Sequence, residues 1–569
     1  MKFHILAIDY DNTLADDGKV TPATIDALVR LRKTGRLIVL VTGRLLKPLL
    51  DAFPEVGLCD LVVAENGALL YNPDTREERT LVDPPPPEFV PELIARGVPV
   101  TEVGKVIIAT HVPHETVVLQ TIRDQALELQ IIFNKGAVMV LPTGVNKASG
   151  LKAAVKQLGY SSHNAVAIGD AENDEALIRL AEVGVAVHNA VEPLKKLADI
   201  VTKNSAGAGV VEIIEKLISR DLQEMHNLPG RGFDLGKSLS DEPISAPVYG
   251  TRMLVTGDSG GGKSMLAVSI LDQLMKRGYQ TCVLDPEGDF QLVEGAIVLG
   301  TRDKLPTAEE VVQVIRQPGK SCVVSLFAAE NSKQPEIFSR YYRALQEHRL
   351  RTGRPHFTII DEAHYPISPN WKPINELHLE DWRSVMYITA FPQKLPHTVL
   401  ESINLFVAIA DDPVKYLNSF CQLLGIPTPR VNPPEDELKH RALAWRRPGG
   451  NPFWVKRPAP VGEHQRHRHQ YFEGDMEPAD QFYFRGPKGQ LNLGAGNLKT
   501  FMQLADGVDD ETWLFHLQRG DYAAWFLQKV QDAELAQVAD QLKSATEITA
   551  KQSRERIHEM IQKLYVKHA

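Results

Sequence analysis

Short apolar runs alternate with amphipathic stretches over the first 218 residues. FHILAID, LIVLVTG, LVVAE, AVAIGD and VGVAV read as strands, whereas TPATIDALVRLRKTG and NKASGLKAAVKQLG have helical spacing and end at a glycine. Strand–helix alternation of this kind predicts an α/β domain, a parallel sheet with helices on both faces, over 1–218. Between Asp83 and Pro142 the alternation breaks. DPPPPEFVPEL is followed by KVIIATHV, a helix at HETVVLQTIRDQALE, and the strands LQIIF and AVMVL, so 83–142 is predicted to be a small α+β unit inserted into the first domain.

Residues 219–247 are rich in Gly, Pro, Ser and charge and read as a linker with one short strand. A second α/β domain is expected over 248–434, with strands RMLVTG, TCVLD, SCVVSLF, HFTIIDE, SVMYITA and LFVAIA and a boundary at IPTPRVNPPEDE. The remainder, 435–569, reads as a mostly helical module with one hairpin, FYFRGPKGQLNL. Its last segment, from AELAQVADQL onward, is helical and suited to packing on the body or pairing with a partner.

Composition adds limits. At 569 residues the chain exceeds one hydrophobic core, and 43% hydrophobic with 24% charged residues is ordinary for globular protein. A net charge of −9 gives no general attraction to nucleic acid or anionic membrane. Cys59, Cys282, Cys322 and Cys421 are far apart, which argues against a disulfide framework or zinc knuckle and fits a reducing cytoplasm. The first residues reach acidic positions too soon for a signal peptide, and no run approaches the ~20 apolar residues of a membrane span. A soluble, cytoplasmic protein is expected.

Candidate chemistry begins at the end of the first strand, where parallel sheets place their ligands. Asp9 is suited to attack phosphorus, and Asp11 to protonate a leaving oxygen and then deprotonate water. Thr42 and Gly43, in Val41-Thr42-Gly43-Arg44, offer a hydroxyl and free amides; Lys147 offers a fixed positive charge. Gly169-Asp170-Ala171-Glu172-Asn173-Asp174 follows another strand, and Asp9, Asp170 and the Asp11 carbonyl would suit magnesium. Alone, DxDxT is a weak signal. DYDNT, VTGR, Lys147 and GDAEND in that order, with AENGALL and VAVHNAVEPLKKLADIVT, resemble the phosphatases of the haloacid dehalogenase (HAD) superfamily, in the Cof-like branch whose cap lies between the second and third motifs. The resemblance covers about 218 residues and implies a Rossmann-like fold. It implies Asp9 as nucleophile, Asp11 as acid/base, Thr42 and Lys147 as phosphate stabilisers, and Asp170 as magnesium ligand beside Asp9, Asp11 and Asp174. Asn12 stands where many members have glycine. Gly43, Asn66 and Asn173 are candidates for contacts with a small phosphomonoester; Asn134 and Lys135, on the last cap turn, either face inward or form a solvated hairpin turn. The small cap is similar to those of phosphoglycolate and sugar-phosphate phosphatases.

A second site is predicted at Gly257-Asp258-Ser259-Gly260-Gly261-Gly262-Lys263-Ser264, a full GxxxxGK[ST] match between a strand and a helix. Its amides would wrap the phosphates of ATP, Lys263 would bridge the outer ones, and Ser264 would hold magnesium. Asp361 and Glu362 end the strand HFTIIDE; Asp361 suits the magnesium site through water, and Glu362 suits activation of the attacking water, which favours ATP hydrolysis over a kinase. LDPEGDF (284–290) and FPQKLP (391–396) resemble stretches of the HerA/FtsK-like ATPases, which implies a polar sensor role for Gln393 and assembly through this domain. Arg349, Arg351 and Arg354 are candidates for reaching a neighbour's ATP, and equally for a solvated surface.

In the tail, HRALAWRRPGGNPFWVKRPAP and EHQRHRHQYF mix cations with aromatics, a combination suited to nucleic acid and equally to a folded tail on an acidic body. His464, His467 and His469 lack an established zinc spacing, and Asp521-Tyr522-Ala523-Ala524-Trp525-Phe526 reads as a helix with core aromatics. The leading expectation is a magnesium-dependent phosphomonoester hydrolase fused to an ATPase that acts on nucleic acid or a protein partner. Two alternatives stand beside it: a nucleic-acid translocase with an accessory phosphatase, and a bifunctional kinase–phosphatase.

Overall fold

The computed structural model describes residues 1–134, 136–226, 228, 230–258, 261–301, 303–432, 441–456, 472, 476, 480–530, 532–545 and 548–566. They fall into two compact units, Met1–Arg457 and Pro458–Ala569.

The first unit begins with β1 (Ile5–Asp9), β2 (Leu37–Val41), β3 (Leu61–Ala64), β4 (Leu69–Asn72) and β5 (Glu77–Thr80). A cap follows, with β6 (Glu102–Val103), β7 (Ile108–His111), β8 (Leu129–Asn134) and β9 (Ala137–Pro142); then come β10 (Ala165–Gly169), β11 (Val183–Ala186) and β12 (Ile200–Val201). The core sheet has the order β12-β11-β10-β1-β2-β3-β4-β5, parallel from β12 to β3 and antiparallel beyond. β1 and β10 are buried along their whole length, as covered parallel strands must be. The cap is an antiparallel sheet ordered β6-β7-β9-β8. Alternation splits its faces: Ile108 and Val140 pack on helices Phe89–Ala95 and Glu115–Asp124, whereas Ala109, Met139 and Leu141 pack with Ala68 of the core domain.

An 11-stranded sheet follows. Its strands are β13 (Gly232–Lys237), β14 (Pro243–Pro247), β15 (Arg252–Thr256), β16 (Thr281–Asp285), β17 (Ala296–Leu299), β18 (Ser321–Ser325), β19 (Phe357–Ile360), β20 (Val385–Ile388), β21 (Leu405–Ala408), β22 (Arg441–Arg446) and β23 (Phe453–Lys456). The order is β14-β13-β23-β22-β21-β15-β20-β19-β16-β18-β17, with a parallel block from β21 to β17. Two stretches differ from expectation. Residues 219–247, read as a linker, supply the hairpin β13–β14; Phe233 and Leu235 alternate inward, pack with helix Lys263–Lys276 and fix the register. Residues 441–456, read as part of the tail module, extend the same sheet antiparallel to β21.

The two sheets meet where their parallel strands begin. Glu182, just ahead of β11, accepts a hydrogen bond from Tyr279, just ahead of β16, at 3.1 Å. Arg354, just ahead of β19, is fully buried and donates to the Gly159 carbonyl, to the Ile315 carbonyl and to Gln280 Oε1. It is therefore no solvated surface arginine, and it lies at the end of the sheet opposite the phosphate-binding loop. Arg351 is exposed and pairs with Glu347.

In the second unit, β24 (Phe482–Phe484) and β25 (Leu493–Ala495) form a hairpin that packs with five helices between Leu498 and Ile561. Phe484, Phe501, Trp513, Tyr522 and Phe526 are fully buried, and this aromatic core holds the unit together. Lys135, His464, His467 and His469 lie outside the described residues. Among the described residues, no helix is long and apolar enough to cross a membrane, and all four cysteines are buried free thiols.

Candidate functional site

Three adjacent strands, β10, β1 and β2, bring Asp170, Asp9 and Thr42 to one spot at their C-terminal ends. Lys147 joins them as the first residue of helix Lys147–Gln157, whose start is fixed by Asn146 Oδ1 accepting the Ser149 N–H at 2.9 Å. Lys147 Nζ donates to Asp9 Oδ1 at 2.6 Å and to Asp174 Oδ1 at 2.7 Å. The other Asp174 oxygen accepts the Asp170 and Ala171 N–H groups, both at 3.1 Å. Asp9, Asp170 and Asp174 each place an oxygen within 4.8 Å of the others, all buried. Burial, then the Asp174 carboxylate, push Asp9 up to about 8 against the pull of Lys147. Burial also works against the Lys147 ammonium, but Asp174 and Asp9 prevail and raise its pKa. One buried ammonium does not balance three buried carboxylates, so the site is short of positive charge, and its hard oxygen donors fit magnesium.

Around this cluster lies a cleft of about 300 Å³ lined by Asp9, Asp11, Gly43, Arg44, Lys147, Asp170 and Asn173, with Glu102 and Met139 from the cap. Arg44 grips Asp11 with two donors, Nε to Oδ2 at 2.9 Å and Nη2 to Oδ1 at 2.6 Å. Asn12 sits at φ 55°, a left-handed conformation that asparagine tolerates and that explains its place in the turn. Asn66 is buried at φ 54°; its Oδ1 accepts from Asn173 Nδ2 at 3.4 Å, while Asn66 Nδ2 and Asn173 Oδ1 are buried without partners among the described residues. Beside it, the buried Glu65 carboxylate accepts the N–H groups of Lys105, Val106 and Ile107 at 2.9, 2.8 and 3.0 Å, which docks the β6–β7 turn of the cap onto the core domain.

The second cluster lies beyond β15, β19 and β16. At Gly257, φ 142°, a Cβ would lie 1.7 Å from the Ile409 carbonyl oxygen, so only glycine fits there. Lys263 is buried, and its ammonium donates to the carbonyls of Asp258 at 2.8 Å and Gly257 at 3.3 Å. Gly262 opens the helix Lys263–Lys276, with Gly261 before it; Ser259 and Gly260 lie outside the described residues. Asp258 accepts the Tyr416 hydroxyl at 2.8 Å. Ser264 Oγ donates to Asp289 Oδ2 at 2.9 Å. Asp361 is buried; Glu362 follows at φ 39° with its Oε2 3.1 Å from His364 Nδ1. Burial, then the neighbouring carboxylates, raise Asp361 well above the usual range, and burial with Glu362 pushes Glu287 up to about 7. Gln393 is exposed on the turn Pro392–Lys394 beyond β20.

The structure therefore brings together Asp9, Asp11, Thr42, Gly43, Lys147, Asp170, Asn173 and Asp174, with Asn66 alongside, and separately Lys263, Ser264, Asp361 and Glu362. Sequence reasoning gave no role to Arg44, Glu65, Glu102 or Asp289. Arg44, Glu65 and Asp289 stood inside the quoted stretches VTGR, AENGALL and LDPEGDF; Glu102, on a two-residue edge strand, carried no signal.

A carboxylate cluster with a buried lysine at strand ends, under a cap, defines a phosphoryl-transfer site on an α/β core. Residues 6–97 and 95–214 match the family model of haloacid dehalogenase-like hydrolases, and 234–352 match that of the helicase HerA central domain. Phosphoglycolate phosphatase 2 of Saccharolobus solfataricus is 32% identical over 230 residues, 38% of this chain and 92% of that one. Phosphoglycolate phosphatase of Methanothermobacter thermautotrophicus is 30% identical over 222 residues, 37% of this chain and 98% of that one. The crystal structure of Thermoplasma acidophilum 0175 aligns with a TM-score of 0.35 and 17% identity, over 38% of this chain and 99% of that one. The chain belongs to the haloacid dehalogenase-like hydrolases, and it joins a phosphatase of that family to a HerA-type P-loop ATPase domain.

Proposed function

We propose that residues 1–218 hydrolyse a small phosphomonoester through an aspartyl phosphate on Asp9. The observation that carries this reading is the Lys147 ammonium set between Asp9 and Asp174 inside the buried carboxylate cluster. Asp9 Oδ2 attacks phosphorus while Lys147 and the amides after Thr42 hold the phosphoryl oxygens. Asp11 protonates the leaving oxygen, which requires its paired contact with Arg44 to open first, because there both oxygens only accept. Asp11 then takes a proton from the water that cleaves the aspartyl phosphate. Asp9, Asp170 and the Asp11 carbonyl would hold magnesium, with Asp174 as outer support. When bound, it supplies charge that lets an anionic phosphate approach Asp9. Gly43, Asn66 and Asn173 contact the substrate. Phosphoglycolate, the substrate in the relatives' names, and sugar phosphates are the first candidates. Turnover of a phosphomonoester panel with magnesium, lost in chelator and lost in Asp9→Asn, tests the reading; turnover that survives either change overturns it.

The P-loop domain hydrolyses ATP in this reading. Lys263, Gly257, Asp258, Ser259, Gly260, Gly261 and Gly262 bind its phosphates, Ser264 and Asp361 serve magnesium, Glu362 activates water, and Gln393 senses the outer phosphate. The HerA likeness makes nucleic acid the first partner to test, and four buried thiols suit a reducing cytoplasm. Phosphate release that rises with DNA, falls steeply with salt and disappears in Glu362→Gln supports it. ATP turnover indifferent to DNA removes the nucleic-acid partner. Label passing from ATP to an organic acceptor would make the domain a kinase.

A further inference from the structure

We propose that Asp289 is a positioning residue of the nucleotide site that sets its affinity for a divalent cation by taking the hydroxyl hydrogen of Ser264; this rests on the ATP-binding reading of that loop. The contact is direct, Ser264 Oγ to Asp289 Oδ2 at 2.9 Å, and joins two strand ends: Ser264 follows the loop after β15, and Asp289 follows β16. A serine that offers its oxygen to a cation must send its hydrogen elsewhere. A carboxylate acceptor fixes that direction, leaves the oxygen lone pairs facing the cation and, through the charged hydrogen bond, makes that oxygen a stronger ligand.

The turn that carries Asp289 is built for this. Asp285 is fully buried and spends both oxygens on it: Oδ1 accepts the N–H of Gly288 at 2.7 Å and of Asp289 at 3.1 Å, and Oδ2 accepts that of Phe290 at 3.0 Å. Phe290, also fully buried, anchors the far end, and Gly288 at φ 87° permits the tight reversal. Asp289 is thus held by backbone bonds independent of Ser264. A second observation points to a cation here. Asp361 Oδ1, on a side chain 1% exposed, has no hydrogen-bond partner among the described residues. A buried carboxylate oxygen in that condition calls for a positive ligand. Asp285, Glu287, Asp289 and Glu362 all act on Asp361 electrostatically, so this oxygen belongs to the same acidic cluster.

Manganese, which is paramagnetic, is the probe. Its binding to the full-length protein with ADP is read by electron paramagnetic resonance, and ADP binding in EDTA is read by calorimetry. Asp289→Asn keeps shape and removes charge, so it tests function without opening a void. The expected result is manganese affinity weakened about tenfold, with ADP affinity in EDTA within twofold of wild type. In a Ser264→Ala background the same substitution should add less than twofold, because Asp289 acts through that hydroxyl. Unchanged manganese affinity, an equal loss of ADP binding in EDTA, or a full additive loss in Ser264→Ala would each overturn the proposal. Wild-type protein that bound no ADP would instead overturn the ATP-site reading itself.

Discussion

His163 and Tyr279 stack face to face, with ring centroids 3.7 Å apart and planes 15° from parallel. One precedes β10 of the phosphatase sheet and the other precedes β16 of the P-loop sheet. Around them Glu182 accepts from Tyr279 at 3.1 Å, faces His163 Nδ1 at 2.7 Å and pairs with Lys2 at 2.9 Å. The joint therefore lies where the strands of both sheets start, while both chemical clusters lie where strands end. A five-residue strand spans about 17 Å, so each cluster stands about one strand length from the joint, at the far end of its own sheet.

That separation predicts independent chemistry. Asp9→Asn should lower phosphomonoester turnover by a factor of at least about 10³ and leave nucleotide affinity within about twofold. Lys263→Ala should abolish nucleotide binding and leave phosphatase kcat/KM unchanged. Parallel assays of both variants check this, and a single substitution that removed both activities would contradict that separation.

Acid should loosen the joint in two stages. His4 is buried just ahead of β1, its Nε2 3.2 Å from where a Cβ on Gly353 would lie; burial, with the N-terminal charge, lowers it to about 4 although Asp221 pulls the other way. The folded chain thus keeps His4 neutral while the unfolded chain takes a proton below about 6.5, and stability falls as pH drops from 6.5 to 4. Glu182 runs in the same sense at lower pH. Burial disfavours its carboxylate, but His163 and Lys2 depress it to about 2. Its contribution is present above the unfolded value near 4.5 and is lost as pH falls toward 2. Denaturant titrations between pH 7 and 4 should show a slope reduced by about one proton in His4→Gln. A slope identical to wild type would show that His4 is not held neutral.

Most of the phosphatase cluster could be read from the chain because its charges sit directly after apolar strands: Asp9 after FHILAI, Thr42 after LIVLV, Asp170 after AVAIG. Glu102 and Met139 could not, since only tertiary packing of the cap brings them to the cleft. The 219–247 stretch hid its hairpin because glycine, proline and charge mask the two-residue alternation of Phe233 and Leu235. Arg354 looked like a surface cation; its burial depends on acceptors from Gln280, Gly159 and Ile315, positions 39 to 195 residues away. Local pattern exposes strand ends, and long-range acceptors leave no trace in it.

Removing charge from the cluster should stabilise the cation-free protein. Asp9 is raised to about 8 by burial and Asp174, so the folded state holds a proton that the unfolded state releases above about 4. Stability then falls as pH rises from 4 to 8, and Asn, which cannot ionise, avoids that loss. In chelator at pH 7.5, Asp9→Asn should melt about 2–4 °C above wild type. Added magnesium should raise the wild-type Tm and leave the variant nearly unmoved. A variant less stable than wild type in chelator would mean that the Lys147 contact outweighs the crowding.

Cap docking hangs on Glu65. Its carboxylate takes three consecutive N–H groups, from Lys105, Val106 and Ile107, and those residues form the turn that follows Glu102 at the cleft. The packing leaves no room for another device, because a Cβ on Gly104 would lie 2.6 Å from the Glu65 carboxyl carbon. Gln at 65 keeps the size but presents an NH₂ to at least one of those donors, so one charged hydrogen bond becomes a repulsive contact, a cost of about 1.5–3 kcal/mol. If the docked cap helps hold substrate, Glu65→Gln should raise KM about tenfold or more for the best phosphomonoester. Its kcat should change less, since Asp9, Lys147 and Asp174 are untouched. Steady-state kinetics together with amide exchange at 105–107 separate the cases. Faster exchange without a KM change would mean that the cap turn is held for stability alone, and slow exchange with normal KM would remove Glu65 from cap docking altogether.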